Sequence, residues 1–306
     1  MTVERFPDLW ISGTLTLDST EFGGAWRRDV PGGSALYGGA AARLLTPVRL
    51  VGTVGSDFPF PDLEDLWRSG VDPTAVETLE GPTFRWGARY EAGGDRRTTL
   101  HRDAGVSSGR LPPIPPSARR PRALLLASTH PGVQAHVRRE LADASPVGLD
   151  SMAHWWREER DALLSLLETV HVAFFDEEEL GLASGLDDPS RAGRWVLERG
   201  PHTVVVKRGS RGAWMHRSGR EPVQVTAVPL GQIGDPTGAG DAFAGAFMAA
   251  QACAPTLGDG YSLRFATAAA SFAAERIGIE GLRGATLQAA QTRMDALQVT
   301  NLNHPR

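Results

Sequence analysis

The chain of 306 residues contains a single cysteine, Cys253. One cysteine cannot form an internal disulfide, and it cannot supply the thiolates of a zinc site. Because lone thiols are typical of a reducing compartment, we expect a cytoplasmic protein. The sequence also lacks any run of 18 consecutive apolar residues, and its first ten residues, MTVERFPDLW, show no basic segment followed by an apolar one. We therefore expect neither a membrane span nor an export signal.

An excess of positive charge is missing as well. The 32 lysines and arginines are outnumbered by 36 aspartates and glutamates, which gives a net charge of -4. Binding to nucleic acid or to an anionic membrane depends on a basic surface, so the charge balance argues against both partners. The hydrophobic fraction of 41% is enough for the core of an ordinary globular protein.

Lysine is equally scarce, and several nucleotide-binding motifs are absent. The one lysine, Lys207, follows Val206, whereas a Walker A loop needs Gly-Lys-Ser/Thr, so a P-loop nucleotidase is excluded. The triplet 101–103 reads His-Arg-Asp like a protein-kinase catalytic loop, but Ser108 stands where that loop needs Asn. His-Glu-x-x-His and Gly-x-Gly-x-x-Gly do not occur, which argues against metalloproteases and dinucleotide-binding enzymes.

Short apolar segments alternate with amphipathic or alanine-rich segments along the chain. Apolar runs of this length are typical of buried strands, and the longer amphipathic segments are typical of helices. The alternation predicts an α/β protein with a doubly wound, mostly parallel sheet and helices on both faces. We expect strands at residues 8–17, 48–54, 123–128, 147–149, 170–175 and 203–207, and helices at 134–144, 157–169, 190–199 and 241–252.

One segment, residues 83–102, departs from this alternation. Its first half predicts an amphipathic strand, and residues 96–102 form a second extended run after Ala92-Gly93-Gly94-Asp95. We expect a hairpin outside the main sheet, whose apolar face either packs on its own domain or covers a ligand as a lid. The proline-rich residues 111–122 then connect back to the sheet. The alternating side chains of the first strand are Phe84, Trp86, Ala88 and Tyr90 against Arg85, Gly87 and Arg89.

The segment 234–245, GDPTGAGDAFAG, is the most informative part of the sequence. Thr237 can cap a helix whose first turn contains Gly238, Ala239 and Gly240, and such small residues let an anion approach unpaired backbone N–H groups. A phosphoryl group bound there would lie near Asp241, which could accept a proton from an attacking hydroxyl. The alternative is an ordinary helix start in which the glycines serve packing only.

This segment resembles the second signature of the ribokinase-like, or PfkB, carbohydrate kinase family, whose core reads Asp-Thr-x-Gly-Ala-Gly-Asp. Pro236 replaces the usual first Thr. Residues 11–18 resemble the family's first strand with its substrate-binding Asp18, Gly32-Gly33 resembles the paired glycines of the first signature, and residues 51–57 resemble the following strand and turn. The resemblance spans about residues 10–282. It implies one ribokinase-like domain over residues 1–306, with a β lid built from about 14–30 and 83–102.

The resemblance implies a kinase that transfers the γ-phosphoryl group of ATP to a hydroxyl of a small sugar or polyol. Asp241 would be the general base, and the amides of Gly238, Ala239 and Gly240 would hold the developing charge. Two alternatives stay open: an adenosine-type nucleoside kinase, and a non-catalytic member that binds a sugar or nucleotide.

The residues implied for the acceptor include one departure from the family. Tyr37 stands where the family commonly has Asn, so the family's sugar contact does not carry over. An aromatic ring there could instead sandwich a nucleoside base together with Trp86. The full set implied for acceptor binding is Asp18, Gly32, Gly33, Tyr37 and Trp86.

ATP and Mg²⁺ are the cofactors that the resemblance implies. Asp176 and Glu179 lie where the family has Asn-x-x-Glu, a motif associated with Mg²⁺ and phosphate. Asp235 matches an Asp that the family uses near a monovalent cation or as support of the loop. A helix over 266–278 would line the adenine pocket, and the lid would form a homodimer seam. The set implied for the nucleotide is Asp150, Asp176, Lys207, Gly209, Gly212 and Thr237.

Overall fold

The structure is a computed structural model that describes residues 9–91, 97–115 and 121–301. Within these ranges no helix is both long enough and apolar enough to cross a membrane. The strands are β1 (Leu9–Ser12), β2 (Thr16–Phe22), β3 (Ala25–Gly32), β4 (Val48–Gly55), β5 (Val71–Leu79), β6 (Arg85–Tyr90), β7 (Arg97–Asp103), β8 (Ala123–Leu126), β9 (Val147–Leu149), β10 (Val172–Asp176), β11 (Thr203–Lys207), β12 (Ala213–Arg217), β13 (Val223–Val225) and β14 (Val299–Asn301). The helices are α1 (Ser34–Ala42), α2 (Glu64–Arg68), α3 (Pro131–Glu140), α4 (Ala153–Glu158), α5 (Arg160–Leu167), α6 (Glu177–Ser184), α7 (Pro189–Leu197), α8 (Ala239–Cys253), α9 (Asp259–Glu275), α10 (Glu280–Arg283) and α11 (Leu287–Asp295).

A ten-stranded sheet forms the centre of the molecule, in the order β14-β13-β12-β11-β10-β9-β8-β1-β4-β5. Neighbouring strands pair in parallel along the series β5, β4, β1, β8, β9, β10 and β11, and β12, β13 and β14 then extend the sheet with antiparallel pairs. The predicted doubly wound, mostly parallel sheet is therefore confirmed. Strands β5, β13 and β14 of this sheet were not predicted.

Each face of the central sheet carries its own apolar core. Side chains alternate along β1, so that Leu9 and Ile11 join one core while Trp10 joins the other. Helices α1, α8 and α9 cover the first face, and α3, α5 and α7 contribute to the core on the second. Helix α8 is buried along almost its whole length, because its alanines and glycines let it pack closely against α1 and α9.

A second sheet of four strands stands apart from the central one, in the order β3-β2-β6-β7. The predicted hairpin is confirmed as the antiparallel pair β6 and β7, although its turn, residues 92–96, lies outside the described residues. Strand β2 pairs with β6 in parallel, so this sheet combines the two segments that the resemblance assigned to a lid.

Two expected elements are divided in the structure. The strand expected over residues 8–17 is wrong in its second half, because β1 ends at Ser12 and Thr16 already belongs to β2 of the other sheet. The helix expected over 157–169 is preceded by α4 and interrupted at Glu159, whose backbone leaves the helical region at φ -129°. Residues 111–115 of the expected connector have no regular structure, and 116–120 lie outside the described ranges.

Candidate active site

Charged side chains converge at the carboxyl edge of the parallel strands, where open α/β sheets bind their ligands. Asp176 ends β10 and pairs in register with Lys207 at the end of β11. Asp150 follows β9 directly. The topology thus brings together three residues that lie up to 57 positions apart in the sequence.

Lys207 and Asp150 form an ion pair at this edge. The Lys207 Nζ donates to both carboxylate oxygens of Asp150, at 2.7 and 2.9 Å, and the two side chains are 15% and 2% exposed. Burial alone would lower the pKa of Lys207, but the carboxylates of Asp150 and Glu179 raise it above its ordinary value. The ammonium group is therefore protonated, and it supplies a fixed positive charge to the site.

The loop before α8 ends in a left-handed glycine. Gly238 has φ 74° and immediately precedes the helix, and a Cβ there would collide with the ring of Tyr37. The predicted cap by Thr237 is wrong: no side chain caps α8, because the Thr237 hydroxyl donates to the Tyr90 hydroxyl at 3.0 Å instead. The start of the helix consequently keeps its positive end free for a ligand.

Not all of the expected amides are available for an anion. The N–H of Ala239 donates to the carbonyl of Pro236 at 3.2 Å, which corrects the role expected of Ala239. Among the described residues, no hydrogen-bond acceptor is found for the N–H groups of Gly238 and Gly240. The tip of Lys207 lies beside them, since a Cβ on Gly240 would be 3.5 Å from its Nζ. Two amides and an ammonium group therefore form the candidate anion site.

Asp241 lies in the first turn of α8, half-buried next to this anion site. Desolvation and then the charge of Asp150 raise its pKa to about 6, against the lowering effect of Lys207 and Arg97. A carboxylate with a pKa near neutrality is ionised at pH 7 yet basic enough to accept a proton. The electrostatics thus suit the predicted general base.

Asp176 and Glu179 form a capping box at the start of α6. The N–H of Glu179 donates to Asp176 Oδ1 at 2.7 Å, and the N–H of Asp176 donates to Glu179 Oε2 at 2.8 Å. Among the described residues no three acidic, histidine or cysteine side chains are grouped as a ready metal site. Mg²⁺ in kinases uses one or two carboxylates together with water and phosphate oxygens, so this rigid acidic pair fits the predicted role.

Asp18 lies on β2, in the four-stranded sheet. Its Oδ1 accepts from the Thr16 hydroxyl at 2.6 Å, and Gly32 leaves room for the carboxylate, because a Cβ at Gly32 would collide with it. Burial, then the charges of Asp235 and Asp241, raise the pKa of Asp18 to about 7. Gly33 has φ 97° and begins the turn into α1. Asp18 and Gly33 are therefore brought together as predicted.

The predicted acceptor contact of Tyr37 is wrong in its proposed form. Tyr37 is 1% exposed, and its ring lies against Gly238 beneath the loop, so it cannot sandwich a base. Trp86 is half-buried and next to Asp18 in register, with the guanidinium carbon of Arg97 at 5.6 Å from its ring centroid. Trp86, which lies beside Asp18, therefore remains a predicted acceptor-binding residue.

The structure gives Asp235 and Gly212 supporting roles. Asp235 is 4% exposed, and its two oxygens accept from the Thr237 N–H at 2.9 Å and from the Thr20 hydroxyl at 3.0 Å. Of the two uses that the resemblance offered for Asp235, support of the loop is the one with contacts in the structure. At Gly212 (φ 84°), which shares a turn with Gly209 (φ 54°), a Cβ would collide with the carbonyl of Val225, so packing against β13 explains this glycine.

Sequence reasoning missed Arg97. This residue begins β7, pairs in register with Tyr90 and hydrogen-bonds to it, and its charge acts on Asp241 and Glu179. In the sequence it is one of many arginines in an amphipathic strand. Its position opposite Tyr90 in the hairpin is the only signal that could have found it.

One family model and several known proteins are similar to this chain. Residues 134–282 match the model of the pfkB family carbohydrate kinases. The cytidine kinase of Thermococcus kodakarensis is 27% identical over 249 residues, which cover 79% of this chain and 87% of that protein. A putative ribokinase II from E. coli has a similar structure, with a TM-score of 0.76 at 23% identity, over 94% of this chain and 99% of that one.

A nucleoside kinase of Burkholderia thailandensis in complex with inosine also has a similar structure, with a TM-score of 0.75 at 18% identity, over 94% of this chain and 98% of that one. The family match over residues 134–282, the similarity to a cytidine kinase and the shared fold together support a ribokinase-like kinase related to the pfkB family.

Proposed function

We propose that the protein transfers the γ-phosphoryl group of ATP to a hydroxyl of a small sugar or polyol. The observation that carries this proposal is the position of Asp241, whose pKa is about 6, in the first turn of an uncapped helix beside the Lys207 ammonium. Phosphoryl transfer needs a positioned base and preorganised positive charge, and both occur together here.

In the proposed reaction the hydroxyl oxygen of the acceptor forms a bond to the γ-phosphorus, and Asp241 accepts the proton of that hydroxyl. The bond between that phosphorus and the bridging oxygen breaks, and ADP leaves. The amides of Gly238 and Gly240, with Lys207, stabilise the charge on the phosphoryl oxygens. Mg²⁺, when bound, neutralises the charge of the ATP phosphates, and Asp176 and Glu179 would hold it.

Asp18, Gly33 and Trp86 are the residues that we propose to hold the acceptor. The buried carboxyl of Asp18 suits a hydrogen bond to an acceptor hydroxyl, and the face of Trp86 suits the apolar face of a sugar ring. A nucleoside is the second candidate, supported by the similarity to a cytidine kinase over most of the chain. Because Tyr37 is buried, a base would stack on Trp86 alone.

Three finer expectations stay proposals. Cytoplasmic location stays a prediction. A monovalent cation near Asp235 is tested by comparing transfer rates in potassium chloride and choline chloride. A homodimer through the four-stranded sheet is supported by two exposed apolar side chains on its outer strands, Trp26 and Leu100, and sedimentation velocity measures it.

A panel assay tests the proposed function. Purified protein with ATP and Mg²⁺ is offered sugars, inositols and nucleosides, and ADP formation is followed together with the ³¹P spectrum of the product. We expect ADP formation that depends on one class of acceptor, with a new phosphate ester in stoichiometric amount. ADP formation that no acceptor accelerates would overturn the proposal.

A further inference from the structure

Two buried hydrogen bonds join the four-stranded sheet to the loop before α8. The Thr20 hydroxyl on β2 donates to Asp235 Oδ2 at 3.0 Å, and the Thr237 hydroxyl donates to the Tyr90 hydroxyl on β6 at 3.0 Å. All four side chains are between 4% and 8% exposed. The two bonds connect residues that are 215 and 147 positions apart, so they depend on the tertiary structure.

Both bonds end on residues that determine the shape of the anion site. Asp235 Oδ1 accepts from the Thr237 N–H, which closes the turn, and Gly238 follows directly in its left-handed conformation. Tyr37 supports the same glycine from below. The four-stranded sheet on one side and helix α1 on the other thus position the N–H groups of Gly238 and Gly240, which we propose to bind the phosphate.

The same two strands also carry the residues proposed to hold the acceptor. Asp18 lies two residues before Thr20 on β2, and Trp86 lies four residues before Tyr90 on β6. Asp18 and Trp86 are paired in register between these strands. A shift of either strand would therefore move the acceptor contacts and the loop together.

We propose that Thr20 and Tyr90 are positioning residues for phosphoryl transfer. They hold the loop 235–238 in its reactive shape, and they couple the anion site to the strands that bind the acceptor. This inference rests on the proposed function and deepens it. We call Thr20 and Tyr90 positioning residues because neither hydroxyl is proposed to contact the substrate or the phosphate. Their effect is to be found in turnover and loop order rather than in ATP affinity.

Isosteric variants test the inference. Thr20→Val and Tyr90→Phe each remove one hydroxyl with little change in shape, and Thr20→Ser keeps the donor. We expect the loss of the buried hydrogen bond to the loop to lower kcat about tenfold in each of the first two variants, with the KM for ATP unchanged. Tyr90→Phe also removes the hydrogen bond between Tyr90 and Arg97. Thr20→Ser should restore most of the kcat. Thr98→Val, at an exposed position of β7 paired with Arg89, is the control and should match the wild type.

Hydrogen–deuterium exchange gives a readout that does not require activity. In the unliganded proteins, the amides of residues 237–241 should exchange faster in Thr20→Val and Tyr90→Phe than in the wild type and Thr98→Val. A kcat and an exchange pattern unchanged in both variants would overturn the inference. If the proposed function is wrong, the wild type phosphorylates no acceptor. The exchange comparison then still decides whether the hydroxyls of Thr20 and Tyr90 order the loop.

Discussion

At the scale of single residues, three of the buried or half-buried carboxyls in the site have environments that separate their roles. Asp150 is bound to Lys207, Asp241 faces the anion site, and Asp18 lies among other acidic groups. Burial raises the pKa of Asp150 against the lowering effect of Lys207, whereas the pKa of Asp18 and of Asp241 is raised by burial together with like charges. The same side chain thus serves as a charge partner, as a base and as a hydrogen-bonding group.

Asp18→Asn should stabilise the fold while it weakens acceptor binding. The folded pKa of Asp18, about 7, lies above its ordinary value of 3.8, so ionisation of this carboxyl opposes folding. That penalty is absent below pH 4, grows between pH 4 and 7, and is complete above pH 7. Thermal unfolding should accordingly show equal Tm values at pH 4 and a higher Tm for the variant at pH 8.

In the same variant the acceptor KM should rise at least about tenfold, because an amide replaces a charge-assisted hydrogen bond, with the KM for ATP unchanged. A variant that is less stable than the wild type at pH 8 would contradict this account of Asp18. Thermal scans in the same buffers and steady-state kinetics on the preferred acceptor measure the two effects.

Lys207→Met should impair both stability and transfer. Removing the ammonium leaves the Asp150 carboxylate buried without its partner, which costs about 3–5 kcal/mol, and it removes a positive charge from the anion site. The double variant Lys207→Met/Asp150→Asn removes the unpaired charge as well. We expect urea unfolding to show recovered stability in the double variant, while transfer stays impaired. Recovery of both would show that Lys207 acts only through stability.

At the scale of elements, the contact between α1 and α8 fixes where the anion site lies. Gly245 of α8 crosses Gly38 of α1 so closely that a Cβ at 245 would collide with the backbone of Gly38. The crossing holds α8 against the sheet, with its first turn at the carboxyl edge of the strands. A single pair of glycines thereby connects helix packing to the position of Asp241.

Gly245→Ala should destabilise the protein by about 1–3 kcal/mol, because the extra methyl group must push two helices apart. Gly181→Ala in α6 is the matched control, since the nearest atom to a Cβ there is 3.9 Å away. Replacing this helical glycine should stabilise by about 0.5–1 kcal/mol. Urea unfolding measures both changes, and equal effects of the two substitutions would refute the close crossing.

The sequence predicted those elements whose signal is local. Apolar runs found most of the parallel strands, and the Gly-Ala-Gly-Asp segment placed Asp241 at a helix start. The strand through residue 17 was misjudged because Gly13, Thr14 and Leu15 do not show that the chain changes sheets there. The cap at Thr237 failed for a related reason: its hydroxyl has a better partner in Tyr90, which lies 147 positions away.

At the scale of the whole molecule, the candidate site takes its residues from two sheets that different parts of the chain supply. The central sheet carries Asp150, Lys207 and the loop to Asp241, and the four-stranded sheet carries Asp18, Trp86 and Arg97. Local pattern could not show that Tyr37 lies against Gly238 or that the charge of Arg97 acts on Asp241, because both depend on tertiary contacts. The roles proposed for the site residues come from the family resemblance, and the positions of these residues come from the tertiary structure.

The central claim concerns Asp241 as the base of an acceptor-dependent kinase. The most direct measurement is acceptor-dependent ADP formation from pH 5 to 9 by the wild type and by Asp241→Asn. With a pKa of about 6, the base loses its negative charge as the pH falls through 6, so the wild-type kcat at saturating acceptor should decline in acid. The variant should lose about 10²–10⁴ in kcat together with this acid limb, at an unchanged KM for ATP. A variant that keeps the wild-type kcat, or the same decline below pH 6, would contradict the account.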